Sequence, residues 1–318
     1  MRLVEFVMMS SGKGRLLWYS KIIGLPRCPV MDNRRYTKES FEWVLKRDFI
    51  IRNFTTRDLE GGKTELHYAC DDNELLLARA CVTFNDDDIN VRDENGQTPL
   101  HSTCTYGYVE IARLLLESGA QASLYQKDHE GAMPIDLAVL DEDISQVKLI
   151  LSHLEDDKEL ALENLGEAIR RAASYENLEI IKLLVGVCGP ALVHSRDYNG
   201  NSALHSASAK RDNTEVIEYL VELGADIESV DSDRRSPLFR AACWGCPDAA
   251  RVLLAAGANV NHMNRFRETA LDALQRHIDD DDDDDDDDGI REGRNEIYKL
   301  LRDAGGRTAA QLPFNVSL

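Results

Sequence analysis

Thr98-Pro-Leu-His-Ser-Thr-Cys104 decides the fold, because segments of the same pattern recur along this 318-residue chain. They begin at residues 64, 98, 133, 202, 236 and 269. A seventh copy, Glu167-Ala-Ile-Arg-Arg-Ala-Ala173, lies in the wide gap between the third and fourth starts and lacks the opening turn residue. A period of 33 to 35 residues predicts a repeat protein, whose units pack on one another because none can bury its apolar side alone.

Each repeat contains two helical segments with a turn between them. The first begins with the repeated motif. The second is marked by apolar residues three and four positions apart, such as Ile111, Leu114 and Leu115, which share one helix face. Between the segments, Gly107 and Gly245 suit a tight reversal. A Gly-Ala pair ends the second segment at Gly119-Ala120, Gly224-Ala225 and Gly257-Ala258. Turn residues of a β-hairpin finger precede the next repeat at Asp93–Gly96 and Asp197–Gly200.

The period, the Thr-Pro-Leu-His opening and the Gly-Ala ending resemble the ankyrin repeat. The resemblance covers residues 64–307 and about seven repeats. It implies an all-α fold, a solenoid of stacked helical hairpins with short β-hairpin fingers. The predicted repeats are 64–97, 98–132, 133–166, 167–201, 202–235, 236–268 and 269–307.

The segments outside this pattern have other characters. Residues 1–35 are basic and aperiodic, so we expect a flexible N-terminal segment, although residues 1–31 also fit a mitochondrial presequence. Residues 36–63 are interpreted as a degenerate capping half-repeat, and residues 308–318 as a C-terminal tail. In the last repeat, the run Asp279–Asp288 predicts a disordered acidic loop, inserted between the two helices at 279–294.

Composition excludes several classes of function. The net charge is −20, and it is still −10 without the ten consecutive aspartates, so we expect no nucleic-acid partner. No run of 18 apolar residues occurs, which argues against a membrane span. The seven cysteines are scattered and odd in number, which indicates a reducing compartment, so a cytoplasmic or nuclear monomer is expected. No motif calls for a cofactor.

The function predicted from these features is binding, with another protein as the partner. The resemblance implies that a partner lies on the concave face, built from finger tips and the exposed sides of the first helices. The C-terminal repeats would offer a locally basic strip there, suited to an acidic or mixed-charge segment. The candidate residues are Tyr106, Lys210, Arg234, Arg235, Arg240, Trp244, Arg265, Phe266 and Arg267.

Other motifs leave alternatives open. Cys243-Trp-Gly-Cys246 has the spacing of thiol redox sites, but no strand precedes it, and we predict that the protein is not an enzyme. Arg2-Leu-Val-Glu-Phe6 resembles a phosphatase-docking motif, which would make the chain a regulatory subunit. Asn261 matches a finger asparagine that hydroxylases modify in some ankyrin proteins.

Three histidines also suggest a metal site at first sight. His67, His101 and His205 share one slot of successive repeats, which is too far apart for joint ligation of zinc, so no metal site is predicted. The resemblance implies instead that this histidine and the threonine before it hold the turn together by hydrogen bonds.

Overall fold

The computed structural model describes residues 61–84, 89–154, 162, 164–279 and 288–312. Within these ranges the chain forms α-helices, short 3-10 helices and turns, without any strand, and the predicted all-α fold class is confirmed. The α-helices are α1 (Glu65–Asp71), α2 (Leu75–Phe84), α3 (Pro99–Thr105), α4 (Val109–Glu117), α5 (Pro134–Leu140), α6 (Ile144–Ser152), α7 (Gly166–Ser174), α8 (Leu178–Cys188), α9 (Ala203–Ser208), α10 (Thr214–Glu222), α11 (Pro237–Trp244), α12 (Pro247–Ala255), α13 (Ala270–Asp279) and α14 (Asp288–Asp303).

The chain divides into two compact units. The first consists of Met1–Thr103, Glu110–Ser123 and Lys127–Glu130, and in it α1 packs against α2. The second consists of Cys104–Val109, Leu124–Gln126 and Gly131–Leu318.

In the second unit, the first helices of successive repeats pack side by side, α5 on α7, α7 on α9, α9 on α11 and α11 on α13. Each of them also packs on the second helix of its own repeat. The third position of the opening motif supplies the centre of this core, because its side chain is at most 1% exposed in every repeat of the unit. Burying such a side chain contributes about 1.5–3 kcal/mol. The residues are Ile135, Ile169, Leu204, Leu238 and Leu271.

The fingers between repeats are tight turns. In the finger at 197–201, the backbone N–H of Asp197 donates to the carbonyl of Asn201 at 3.0 Å. The Asp197 carboxylate accepts from the N–H groups of Asn199 and Asn201 at 2.9 and 2.7 Å, which fixes the turn from inside. Such a finger is too short for a β-ladder, so the predicted β-hairpins occur as single closed turns. The same pattern, in which one side-chain oxygen accepts from two backbone N–H groups, recurs at 93–97, 231–235 and 264–268.

The last repeat differs from the sequence prediction. We expected an inserted loop at 279–294 and a second helix from Asn295, but α14 already begins at Asp288, so the C-terminal part of that prediction is wrong. Aspartate is favoured at a helix N-terminus because it faces the positive end of the helix dipole. Gly293 and Arg294 also bring this added first part of α14 against α11, where the Arg294 guanidinium donates to the Cys243 carbonyl at 2.9 and 3.1 Å. Residues 280–287 of the acidic run lie outside the described residues.

Other expectations fall wholly or partly outside the described residues. These are the N-terminal segment 1–35, nearly all of the capping half-repeat 36–63, and the end of the tail 308–318. Among the helices that the structure does describe, none has both the length and the apolar character needed to cross a membrane.

Candidate functional site

In two repeats, a histidine at the fourth position of the opening motif joins the repeat to the finger that follows. His205 Nδ1 accepts from the backbone N–H of Ser202 at 3.2 Å and lies 2.9 Å from its hydroxyl. Since Nδ1 is an acceptor, the ring proton is on Nε2, which donates to the Arg235 carbonyl at 3.0 Å. His67 does the same with Thr64 and the Gln97 carbonyl. The structural role that the resemblance implied is therefore confirmed for both histidines.

These buried histidines predict a loss of stability in mild acid. Burial is the main cause that lowers the pKa of His67 and His205 below the ordinary 6.5. The unfolded chain therefore binds protons in a range where the folded protein does not, and stability should fall as the pH drops below 6.5. The slope is at most about 1.4 kcal/mol per pH unit for each histidine. Chemical denaturation at pH 7.0 and pH 5.5 should give a lower unfolding midpoint at pH 5.5.

The control for this prediction is His205→Gln, because a glutamine amide can accept and donate but does not titrate. Its stability should change less between the two pH values than that of the wild-type protein. An equal change in both proteins would mean that His205 does not contribute to the acid sensitivity.

In the fourth repeat, the same slot holds Arg170 in place of histidine. Its side chain is 10% exposed, and it bonds to the carboxylate of Glu167, three residues earlier, at 2.9 Å from Nη2 and 3.3 Å from Nε. Its Nη1 is buried and has no hydrogen-bond partner among the described residues. Arg170 thus keeps the backward contact of the histidines, but it carries a permanent positive charge into the interior.

A groove of about 330 Å³ opens beside Arg170, between α7 and α9. We call it the α7–α9 groove. One finger and the end of α5 complete its walls. Its lining residues are Leu140, Glu167, Arg170, Arg171, Ser174, Tyr175, Asp197, Ser206 and Lys210.

Three cations and two acids set the charge of this groove. The Glu167 carboxylate is shared, since its second oxygen accepts from Arg171 Nε at 2.9 Å. The Asp197 carboxylate is held by its own finger, through the Asn199 and Asn201 N–H groups and the Asn201 amide. Lys210 is exposed and forms no ion pair with any described residue. The groove is therefore net positive in a protein of net charge −20.

Two of the sequence-predicted binding residues adopt an unusual backbone conformation. Arg234 and Arg267 have φ values of 58° and 63°, and they are the fourth residues of their fingers. Three other fingers have glycine at that position, Gly96, Gly131 and Gly200, also with positive φ. A side chain in this left-handed conformation costs about 1–2 kcal/mol, which glycine avoids.

Two other predicted arginines are partly neutralised. Arg235 pairs with the Asp233 carboxylate at 2.6 Å, and Arg265 pairs with the other oxygen of the same carboxylate at 3.0 Å. The Arg265 guanidinium also lies over the Phe266 ring, 4.7 Å from its centre. The basic strip is thus a mixed-charge network built around Asp233, with exposed charge remaining on Arg267.

The remaining predicted binding residues are of two kinds. Tyr106, Trp244 and Phe266 are 52%, 51% and 56% exposed, so their rings are available for contact with a partner. Arg240, by contrast, donates to the Asn201 side chain at 2.6 Å and lies 3.9 Å from the Asp231 carboxylate, so it braces two fingers.

The cysteine pair has the wrong environment for redox chemistry. Burial raises the pKa of Cys243 above its ordinary value, and burial raises the pKa of Cys246 to about 11. A reactive thiol needs the opposite shift, because the thiolate is the nucleophile. Both thiols should therefore be almost entirely protonated at neutral pH. Among the described residues, no group of three His, Cys, Asp or Glu side chains could hold a metal ion.

The two remaining motifs are placed as follows. Asn261 lies shortly before the last finger, and its side-chain oxygen accepts from the Arg307 N–H at 2.8 Å. Hydroxylation of Asn261 stays a prediction. The phosphatase-docking motif Arg2–Phe6 lies outside the described residues.

Sequence reasoning found Lys210 but missed the rest of the α7–α9 groove. The sequence identifies Glu167, Arg170 and Arg171 only as part of the copy that lacks the opening turn residue. The available signal was the replacement of the usual histidine by an arginine with an acid three residues before it. Tyr175, which is 47% exposed, gave no periodic signal.

Comparison with known proteins identifies the pattern of repeats. A family model described as ankyrin repeats (3 copies) matches residues 46–128, 66–161 and 169–264, more than half of the chain. Rabankyrin-5 of Mus musculus is 29% identical over 224 residues, covering 65% of this chain and 19% of that protein. The nuclear factor NF-kappa-B p105 subunit of Gallus gallus is 33% identical over 181 residues, covering 56% of this chain and 18% of that protein.

A solved structure is similar in fold. The ankyrin repeat domain of Bcl-3 gives a TM-score of 0.56 at 23% identity, covering 67% of this chain and 94% of that domain. This likeness concerns the fold alone. The chain spans about a fifth of the length of the two curated relatives, so their activities as whole proteins do not transfer to it.

Proposed function

We propose that this chain, which belongs to the ankyrin-repeat family, is a scaffold or adaptor that binds a partner protein on finger tips and the exposed sides of first helices. Ankyrin-repeat domains are in general protein–protein interaction modules. The proposed contact set lies within the second unit. It consists of Tyr106, Lys210, Arg234, Arg235, Arg240, Trp244, Arg265, Phe266 and Arg267.

The observation that supports this surface most is that two neighbouring fingers hold an arginine in the left-handed backbone conformation that favours glycine. Arg234 and Arg267 occupy the position where Gly96, Gly131 and Gly200 lie in other fingers, at a cost in folding energy that a glycine would avoid. Costly backbone conformations tend to be kept where the side chain has a function. The exposed Phe266 beside Arg267 adds an aromatic anchor of the kind found at interface hot spots.

The test uses the double variant Arg234→Gly/Arg267→Gly. Relief of backbone strain should increase the free energy of unfolding by about 1 kcal/mol per site and so raise the melting temperature. Loss of both side chains should weaken partner binding at least fivefold. Affinity capture from the source cells with the wild-type and variant chains, quantified side by side, identifies the partners that depend on this surface. Their dissociation constants then measure the effect.

Glu142→Gly is the matched control, because Glu142 also has a positive φ, 55°, but lies in the turn between α5 and α6. This variant should gain stability in the same way and keep every partner. If the arginine double variant binds the verified partners as tightly as the wild-type protein, the proposed surface is wrong.

A further inference from the structure

The α7–α9 groove contains a positive charge that the protein has fixed in place before any partner arrives. Arg170 is buried, and Glu167 holds its guanidinium through Nε and Nη2, which leaves Nη1 without a partner among the described residues. A buried donor without a partner costs about 1–3 kcal/mol, so such a group is expected to be retained for a reason.

The missing partner of Arg170 is clear from comparison with the histidines in the same slot. His67 and His205 each donate with their second nitrogen to the carbonyl just before the next repeat, at Gln97 and Arg235. The equivalent carbonyl for Arg170 belongs to Asn201. All three carbonyls accept from the first N–H of their own finger, but Arg170 does not add a second bond, since its Nε and Nη2 donate to Glu167 and its Nη1 has no partner among the described residues. Arg170 therefore keeps the backward contact of the slot without the forward one, and it is one of the residues that line the groove.

The charges around Arg170 leave the groove short of one anion. The Glu167 carboxylate serves two guanidiniums, those of Arg170 and Arg171. Lys210, just past the C-terminal end of α9, adds a third cation, and Asp197 is the other acid in the lining. The formal balance is therefore one positive charge, on a protein whose overall charge is strongly negative. That balance complements a single carboxylate better than a doubly charged phosphate.

We propose that the α7–α9 groove is a carboxylate-binding site for an acidic segment of a partner protein. An aspartate or glutamate side chain of that segment would lie between the outer nitrogens of Arg171 and the Lys210 ammonium, over the fixed charge of Arg170. Guanidinium–carboxylate pairs are strong and directional when one member is already held in place. Leu140 and the half-exposed Tyr175 offer apolar surface for a neighbouring residue of the same segment. This inference rests on the proposed binding function and adds the chemistry of one contact.

The experiment is a peptide array probed with the full-length fluorescent chain. The array holds eight-residue peptides with zero to four aspartates or glutamates. Each acid-containing peptide is also present in two other versions, one with glutamine in place of every acid and one with phosphoserine in place of one acid. We expect binding to the acidic peptides and none to the glutamine versions. The charge-reversal variant Arg171→Glu/Lys210→Glu should bind the acidic peptides at least tenfold more weakly, and rising salt should weaken the wild-type binding.

The matched control is Lys299→Glu, which reverses an exposed charge on α14 and should leave peptide binding unchanged. Changing Arg171 also removes its ion pair with Glu167, so the second variant is Lys210→Glu alone. The exposed Lys210 side chain forms no ion pair with any described residue. A preference for phosphoserine over carboxylate, or equal binding by both groove variants and the wild type, overturns the inference. A different result is that no peptide binds, although the wild-type chain captures partners that Arg234→Gly/Arg267→Gly loses. In that case the proposed function stands, and only the assignment of the groove is wrong.

Discussion

Gly293→Ala should destabilise the last repeat by about 2–4 kcal/mol. A Cβ added at Gly293 would lie 2.1 Å from the backbone oxygen of Gly245 and 2.9 Å from its carbonyl carbon. Because the obstacle is backbone, no side-chain rotation relieves the clash, and α14 must move away from the turn that follows α11. Overpacking of this kind costs about 1–3 kcal/mol, and helix propensity returns about 1 kcal/mol at most.

The same displacement would remove a second interaction. Arg294, the next residue, donates from Nε and Nη2 to the Cys243 carbonyl at 3.1 and 2.9 Å. Bonds to a charged donor contribute about 1.5–3 kcal/mol, which raises the expected total. Since repeat proteins can open from one end, the effect should be local. Hydrogen exchange should accelerate in α13 and α14 and change little in α7 and α8.

Gly186→Ala is the control for this prediction. Gly186 lies within α8, and a Cβ there would meet no atom within 4 Å. Alanine should therefore only improve helix propensity and stabilise the protein by about 0.5–1 kcal/mol. Opposite signs for these two glycine-to-alanine changes would support the close approach of α14 to Gly245. If Gly293→Ala were as stable as the wild-type protein, that approach would be wrong.

Most of the fold was predictable because it depends on a period that seven copies repeat. Leu204 and Leu238 are buried at equivalent places since every unit must bury the same apolar side, so the pattern is written many times in the sequence. The start of α14 was not predictable in the same way. Asp288 ends a run of identical residues, and the close approach of Ile290 and Gly293 to Gly245 is visible only in the structure.

The candidate site was less predictable because its features depend on single positions. The resemblance led to Arg234 and Arg267, but their glycine-like backbone appeared only in the structure. The sequence likewise could not show that Asp233 neutralises Arg235 and Arg265, since ion pairing depends on three-dimensional distances. The charge of Arg170 was visible in the sequence, whereas its missing partner follows from the fold.

His205→Leu should cost about 1.5–4.5 kcal/mol, the largest expected effect of a single change in the middle of the chain. Leucine keeps the apolar contacts of the ring but loses both of its polar ones. The buried N–H of Ser202 would lose its partner, at about 1–3 kcal/mol, whereas the Arg235 carbonyl keeps the Asp231 N–H and would lose one bond, at about 0.5–1.5 kcal/mol. Denaturant unfolding should show the loss, and faster hydrogen exchange should appear on both sides of the finger at 231–235.

Phe239→Leu is the matched control, because Phe239 occupies the same slot one repeat later and is 3% exposed. Phe239 has no side-chain atom that can hydrogen-bond, and the two repeats share the other contact of the turn, in which the serine hydroxyl accepts from the backbone N–H of the slot residue. The change to leucine therefore removes only volume and should cost about 1–1.5 kcal/mol. His205→Leu should also lose the part of the acid sensitivity that arises from the lowered pKa of His205. Equal losses for the two leucine variants, with the pH dependence unchanged, would show that the slot acts through packing alone and that its hydrogen bonds do not join the repeats.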